Sequence, residues 1–336
     1  MPNMETQSDT DSQTQPPFDA GWLDVGEGHA LYYEQCGRRD GPPVLFLHGG
    51  PGSGCTPRQR QWFDLQRQRV VFFDQRGCGR SRPRGSVEAN TSAHLVADIE
   101  RLRRHLGVTQ WLVVGGSWGA GLALAYAAAH PDACTGLLLR AVFLGRDEDV
   151  DWFFQGARQL LPAAWDRLAQ QAPQADRAAL LVWLARGLDE APQALHCALA
   201  WEAWEASLTR QTEVPARSGL TAQEAAALLD KYRVQSHYLR HGCFWREAPL
   251  LQRLAPLAAL PSLILHGRQD WICRPQAAWD LHRSLPASRL HWVAQAGHNP
   301  YQAGMAQSLR TALALHATHG DFSAWDGDAM AQESHP

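Results

Sequence analysis

A disulfide frame and a metal-binding signature are the first things this sequence lacks. Its seven cysteines, at 36, 55, 78, 134, 197, 243 and 273, are scattered, odd in number and never spaced C-x-x-C. They read as free thiols of a reducing compartment, so the expected location is cytoplasmic and no structural zinc is expected. No apolar run reaches the ~20 residues that cross a bilayer as a helix, and no basic, apolar leader opens the chain. Acidic and basic residues are interspersed to a net charge of −3. That leaves no basic face for nucleic acid and no polybasic anchor for a membrane. Neither a metal nor a cofactor is expected, and the sequence is silent on oligomeric state.

What is present is apolar material for a large core, 45% of 336 residues. The organising stretch is Trp111-Leu112-Val113-Val114-Gly115-Gly116-Ser117-Trp118-Gly119-Ala120-Gly121. A short β-prone run stops at two glycines, places a serine in a G-x-S-x-G turn and passes into the alanine-rich Leu122–Ala129. Such a strand-turn-helix unit strains the serine backbone and leaves its hydroxyl exposed at a helix N-terminus. A serine hydroxyl is a weak nucleophile until a histidine takes its proton and a carboxylate fixes that histidine. Both partners are therefore expected downstream, each just after a strand.

Around this stretch the chain alternates. His29–Cys36 reads as an antiparallel edge strand; Pro43–Leu47, Arg69–Phe73 and Thr135–Leu144 read as buried strands. Ser92–Leu106 carries apolar residues at helical spacing, with Ser92 at the N-cap position. From Arg146 to Leu254 the pattern is helical throughout: Trp152–Leu168, Ala178–Gly187, Pro192–Leu208 and Thr221–Tyr238. The strand-helix rhythm resumes with Ser262–Leu265, a helix over Pro275–Leu285, strand Arg289–Val293 and a last helix over Gln302–His316. The implied fold is α/β, with a mostly parallel central sheet flanked by helices and an inserted all-helical cap. The expected units are a disordered tail over 1–17, a core over 18–145 and 255–320, a cap over 146–254 and a loose tail over 321–336.

Asp270 follows Ser262–Leu265, and His298 follows Arg289–Val293. One helix and one strand separate them, so both fall at the sheet edge that carries Ser117. The order Ser117, Asp270, His298 is that of the α/β-hydrolase fold. A tetrahedral intermediate also needs two convergent N–H donors. The expected donors are the residue after the nucleophile, Trp118, and Gly50 in the glycine-rich loop His48–Gly54. That loop alone could equally cradle a phosphate, but no Lys-Ser/Thr follows it.

The segments His48–Gly54, Asp74–Ser81, Gly115–Gly119, Gly267–Asp270 and Gly297-His298, together with Trp201-Glu202-Ala203-Trp204-Glu205 in the cap, resemble the proline iminopeptidases (prolyl aminopeptidases). The resemblance runs from about Pro17 to His316. It implies release of an N-terminal residue, preferentially proline, from small peptides through an acyl-enzyme and without metal. It also implies two cap glutamates around the substrate amine. Glu205 matches the first; the second falls within Tyr232–Tyr238, where this chain has Gln235. A peptide amine, with a pKa near 8, is largely a cation at neutral pH and needs an anionic partner when buried. Gln235 keeps an acceptor and loses a charge, worth roughly 1 kcal/mol. Glu202, three residues before Glu205 on the same side of a helix, is the expected replacement. Cap tryptophans 152, 165, 183, 201 and 204 offer flat walls for a pyrrolidine ring, though most are expected simply to pack. An amidase or esterase of altered amine preference is the alternative reading, and a non-catalytic binding use of the fold is a third.

Overall fold

The computed structural model of the protein describes residues 15–190 and 192–327. Eight strands form one sheet: β1 (Asp19–Gly26), β2 (His29–Gly37), β3 (Pro43–Leu47), β4 (Arg69–Phe73), β5 (Trp111–Gly116), β6 (Cys134–Arg140), β7 (Ser262–Gly267) and β8 (Ser288–Val293). Their spatial order is β1-β2-β4-β3-β5-β6-β7-β8. The pairings of β1 with β2 and β2 with β4 are antiparallel, and the other five are parallel.

The unbroken apolar runs of β3, β4, β5 and β6 follow from burial on both faces. Side chains alternate between two cores, one on each side of the sheet. Leu45, Val71, Val113 and Leu137 join one core, with Leu95 and Ile99 of α1 (Ser92–His105) and the buried face of α2 (Trp118–Ala129). Their neighbours Val44, Val70, Leu112 and Leu138 join the other, with Met305, Leu309 and Ala312 of the C-terminal helix Ala303–His319.

The cap is helical: α3 (Asp147–Phe154), α4 (Pro162–Ala169), α5 (Leu180–Asp189), α6 (Ala194–Arg210) and α7 (Ala222–Arg240). Two helices complete the core, α8 (Pro275–Ser284) and α9 (Ala303–His319).

Several expected boundaries are corrected. The single helix expected over Trp152–Leu168 is two, separated by a 3-10 turn at Gly156–Gln159 and restarted at Pro162, which suits a first helical turn. The expected edge strand at His29 is an interior one, because β1 lies outside it. β6 stops at Arg140, where Ala141 takes a positive φ of 49°, well before Leu144. Thr91, not Ser92, caps α1, accepting from the His94 N–H; the Ser92 hydroxyl instead donates to the Cys243 carbonyl at 2.6 Å. Of the two expected loose tails, residues 1–14 and 328–336 lie outside the described residues. The parts that are described are tied down. Arg60 Nη1 donates to the Gln15 carbonyl at 2.8 Å, and Phe322 and Trp325 are buried in the second core.

Candidate active site

Ser117 stands between β5 and α2 with φ 58° and ψ −124°, a conformation that side chains seldom adopt. Its backbone N–H donates to the Arg140 carbonyl of neighbouring β6 at 2.9 Å. The flanking glycines are dictated by contact. A Cβ on Gly119 would collide with the Leu47 carbonyl oxygen, and one on Gly115 would collide with that of Gly119. Helix and strands therefore meet backbone to backbone, and the turn between them cannot relax.

Asp270 and His298 come from the loops after β7 and β8. His298 Nδ1 lies 2.8 Å from Asp270 Oδ2, and Asp270 Oδ1 accepts from the Ile272 and Cys273 N–H groups at 2.9 Å each. Burial works against the Asp270 charge, yet the His298 ring and these hydrogen bonds hold its carboxyl below the usual carboxylate range. The aspartate is thus an anion aimed at one ring nitrogen, which leaves Nε2 of His298 available to take up a proton. Ser117 Oγ lies 3.8 Å from Cys273 Sγ and makes no hydrogen bond to His298 among the described residues. Such contacts commonly tighten only when substrate is bound.

Arg140 fixes the histidine loop from beneath, donating from Nη1 to the His298 carbonyl at 2.7 Å. Burial pushes its guanidinium down from its ordinary value, though the Asp270 charge opposes this. The sequence left this arginine without a role.

The glycine loop after β3 turns over the serine. Gly50 has φ 126°, the Gly50–Pro51 bond is cis, and a Cβ on Gly49 would lie 3.3 Å from the Gly116 carbonyl. Gly50 and Ser117 line one cavity of about 260 Å³, together with His298, Glu205, Gln235 and Phe153. None of the five cap tryptophans lines it. Trp201 and Trp204 are buried inside the cap, where Trp204 Nε1 donates to the Phe153 carbonyl at 2.9 Å. The tryptophans thus pack the cap, and Phe143, Phe153, Phe154 and Ile272 supply the apolar walls.

At the cap side of the cavity, Glu205 of α6 meets α7. Lys231 Nζ lies 3.3 Å from each Glu205 oxygen, and the Tyr232 hydroxyl donates to Oε2 at 3.0 Å. Burial, then the Glu205 charge, pushes the Tyr232 hydroxyl well above its ordinary pKa, so it stays a donor. Gln235 is buried, and its Oε1 has no hydrogen-bond partner among the described residues. Glu202 does not fill the expected role. It is held by Arg217 at 2.8 and 3.0 Å and is absent from the cavity lining. Three residues along a helix rotate a side chain by about 300°, enough here to take Glu202 off the face that Glu205 presents. Lys231 and Tyr232 were missed in the sequence because their partner lies on another helix, 26 and 27 residues away.

Residues 42–302 match the family model described as the alpha/beta hydrolase fold. The chain is 43% identical over 290 residues to a proline iminopeptidase of Xylella fastidiosa, covering 85% of this chain and 92% of that protein. It is 40% identical over 298 residues to one of Arabidopsis thaliana, covering 87% and 78%. Among solved structures, a proline iminopeptidase-related protein from Thermus thermophilus superposes with a TM-score of 0.55 at 26% identity, covering 88% of this chain and 97% of that one. VinJ superposes with a TM-score of 0.66 at 20% identity, covering 90% and 99%, which speaks to the fold alone. The chain is a hydrolase of the α/β-hydrolase fold and belongs to the proline iminopeptidase family.

Proposed function

We propose that the protein is a serine aminopeptidase that releases N-terminal proline from small peptides. The observation that carries this reading is a single cavity that joins Ser117 and His298 to Glu205 and Gln235. A nucleophile and amine acceptors in one cavity suit a substrate bound by its free N-terminus beside the reacting carbonyl.

In this mechanism Ser117 Oγ attacks the first peptide carbonyl while His298 Nε2 takes its proton. Asp270 holds the ring in the required tautomer and stabilises the imidazolium. The backbone N–H groups of Gly50 and Trp118 receive the developing oxyanion. His298 then protonates the departing amine, the prolyl ester remains on Ser117, and water activated by the same histidine releases it. Glu205 and Gln235 accept hydrogen bonds from the substrate amine, and the phenylalanine walls cover the ring. No step calls for a metal or cofactor.

The partners we infer are short peptides with a free N-terminal proline, with neither nucleic acid nor a membrane involved. Among the described residues no helix is long and apolar enough to cross a membrane. All seven cysteines are free and buried, which supports a cytoplasmic site of action.

A second reading, an amidase or esterase of altered amine preference, draws on the loss of charge at Gln235. Both readings are tested by hydrolysis of proline β-naphthylamide, its N-acetyl derivative and p-nitrophenyl acetate, with Ser117→Ala as control. Cleavage of the free-amine substrate alone, lost in the variant, is the expected result. Ester cleavage without proline release would replace the first reading by the second.

A further inference from the structure

The sequence contains a single lysine against thirty arginines, and that lysine is Lys231. It sits where a cation matters most to the proposed reaction. Its ammonium contacts both oxygens of Glu205 at 3.3 Å, lies 3.3 Å from the Tyr232 hydroxyl and stands 4.6 Å from the centre of the Tyr232 ring. Glu205 lines the catalytic cavity; Lys231 does not, and lines instead a neighbouring cavity with Gly52 and Asp230 that meets the first at Ser53. The ammonium thus reaches Glu205 from outside the lining of the catalytic cavity. Of the other carboxylates, Asp149 also lines the catalytic cavity but is paired with Arg146 at 2.9 Å and Arg274 at 3.3 Å, while Glu202 is paired with Arg217. Gln235, in the same cavity, offers a neutral amide oxygen that has no partner among the described residues.

We propose that Lys231 is a specificity-determining residue: by neutralising Glu205 from outside the cavity lining, it leaves the amine end of the cavity without net charge, so that the site accepts an uncharged N-terminal group alongside the ammonium form. The proposal rests on the aminopeptidase reading above. An anionic end would select cations by Coulomb attraction in a partly desolvated site. With Lys231 in place the site offers acceptors, and the selection falls to hydrogen-bond count and ring shape. Tyr232, anchored to the same carboxylate, keeps Glu205 in position when the lysine is changed.

The test compares L-proline 4-nitroanilide with (S)-tetrahydrofuran-2-carboxylic acid 4-nitroanilide, in which a ring oxygen replaces the amine and no charge is carried at any pH. In Lys231→Met the ratio of kcat/KM for the proline substrate over the oxygen analogue is expected to rise about tenfold, through a lower KM for proline with kcat little changed. Lys231→Arg is expected to keep the wild-type ratio. Because the chain has one lysine, cyanate treatment of the folded enzyme removes the same charge without a substitution, with Lys231→Met under cyanate as the control. It is expected to shift the ratio in the same direction. A ratio unmoved in Lys231→Met, or moved as far in Lys231→Arg, overturns the proposal while the aminopeptidase reading stands. A wild-type enzyme that cleaves the proline anilide but not the oxygen analogue overturns the proposal alone, and one that cleaves neither anilide overturns both.

Discussion

Trp118 and Gln75 are joined by a buried hydrogen bond in which the indole Nε1 donates to the amide Oε1 at 2.8 Å. The Gln75 amide nitrogen donates in turn to the His48 carbonyl at 3.0 Å, and its backbone N–H donates to His48 Nε2 at 3.0 Å. Burial pushes the His48 pKa down, so the ring is neutral, with its proton on Nδ1 facing the Gly49 carbonyl at 2.8 Å. One glutamine thereby spans the two structures expected to supply the oxyanion donors, the first turn of α2 and the glycine loop. Its role escaped the sequence because both partners are distant in the chain.

Gln75→Leu strands the Trp118 indole and the His48 carbonyl without partners, at about 1–3 kcal/mol for each buried group. The expected outcome is a kcat lower by about 10- to 100-fold with a smaller change in KM, since a displaced donor is felt mainly in the transition state. Steady-state kinetics beside a thermal melt check this. An unchanged kcat in a destabilised protein would reduce the glutamine to a packing role.

Asp270→Asn should lower kcat by about 10³- to 10⁴-fold by releasing the histidine tautomer, with the fold retained. It also makes a prediction for stability. The Asp270 carboxyl is held below its ordinary pKa, so its ionisation favours the folded state. That contribution is present above the unfolded-chain value near 4 and is lost as pH falls through the lower folded value. Urea melts of wild type and variant should therefore differ most near pH 6 and converge below pH 4. A difference that stays constant over that range would assign the variant's loss to packing.

The sheet and the placement of Ser117, Asp270 and His298 in loops after its strands were legible because each has a strong local cause. Buried parallel strands are apolar throughout, and glycines mark where backbones touch, as Gly119 does against Leu47. β1 was not legible. Its sequence, DAGWLDVG, alternates half-exposed with exposed positions as far as Asp24, buries only Val25, and carries two aspartates and two glycines, so little local marks it as a strand. It is held by register with β2. The amine end of the cavity was half legible. Glu205 and Gln235 stood in recognisable segments, but the direction of Glu202 depends on how α6 is rotated against its neighbours, and tertiary packing sets that rotation.

Cys273 sits in the cavity with its thiol 3.8 Å from the Ser117 hydroxyl. Burial, then the Asp270 charge, pushes that thiol well above its ordinary pKa, so at pH 7 almost none is thiolate. Since the thiolate is the reactive form, N-ethylmaleimide should inactivate the enzyme slowly. An organomercurial, which binds sulfur more avidly, should inhibit by filling the space beside Ser117. Cys273→Ala should keep most of the activity and lose the mercurial sensitivity. Inhibition that persists in Cys273→Ala would point to one of the other six thiols.

Gln235→Glu tests the amine end from the opposite side to Lys231. The substitution changes no heavy-atom count and places a further carboxylate against the cavity beside Glu205 and Asp149, where the Gln235 oxygen now has no partner among the described residues. Empty, the site then holds a buried charge with nothing to balance it, so the melting temperature should fall by a few degrees, or the new group should take up a proton. Occupied by a protonated proline, the charge is balanced, and KM for proline arylamides should fall about 5- to 10-fold at neutral pH. The gain should vanish for the tetrahydrofuran analogue, which brings no cation to pair. A KM that fell equally for both substrates would trace the effect to cavity shape, and one unchanged for both would remove Gln235 from contact with the amine.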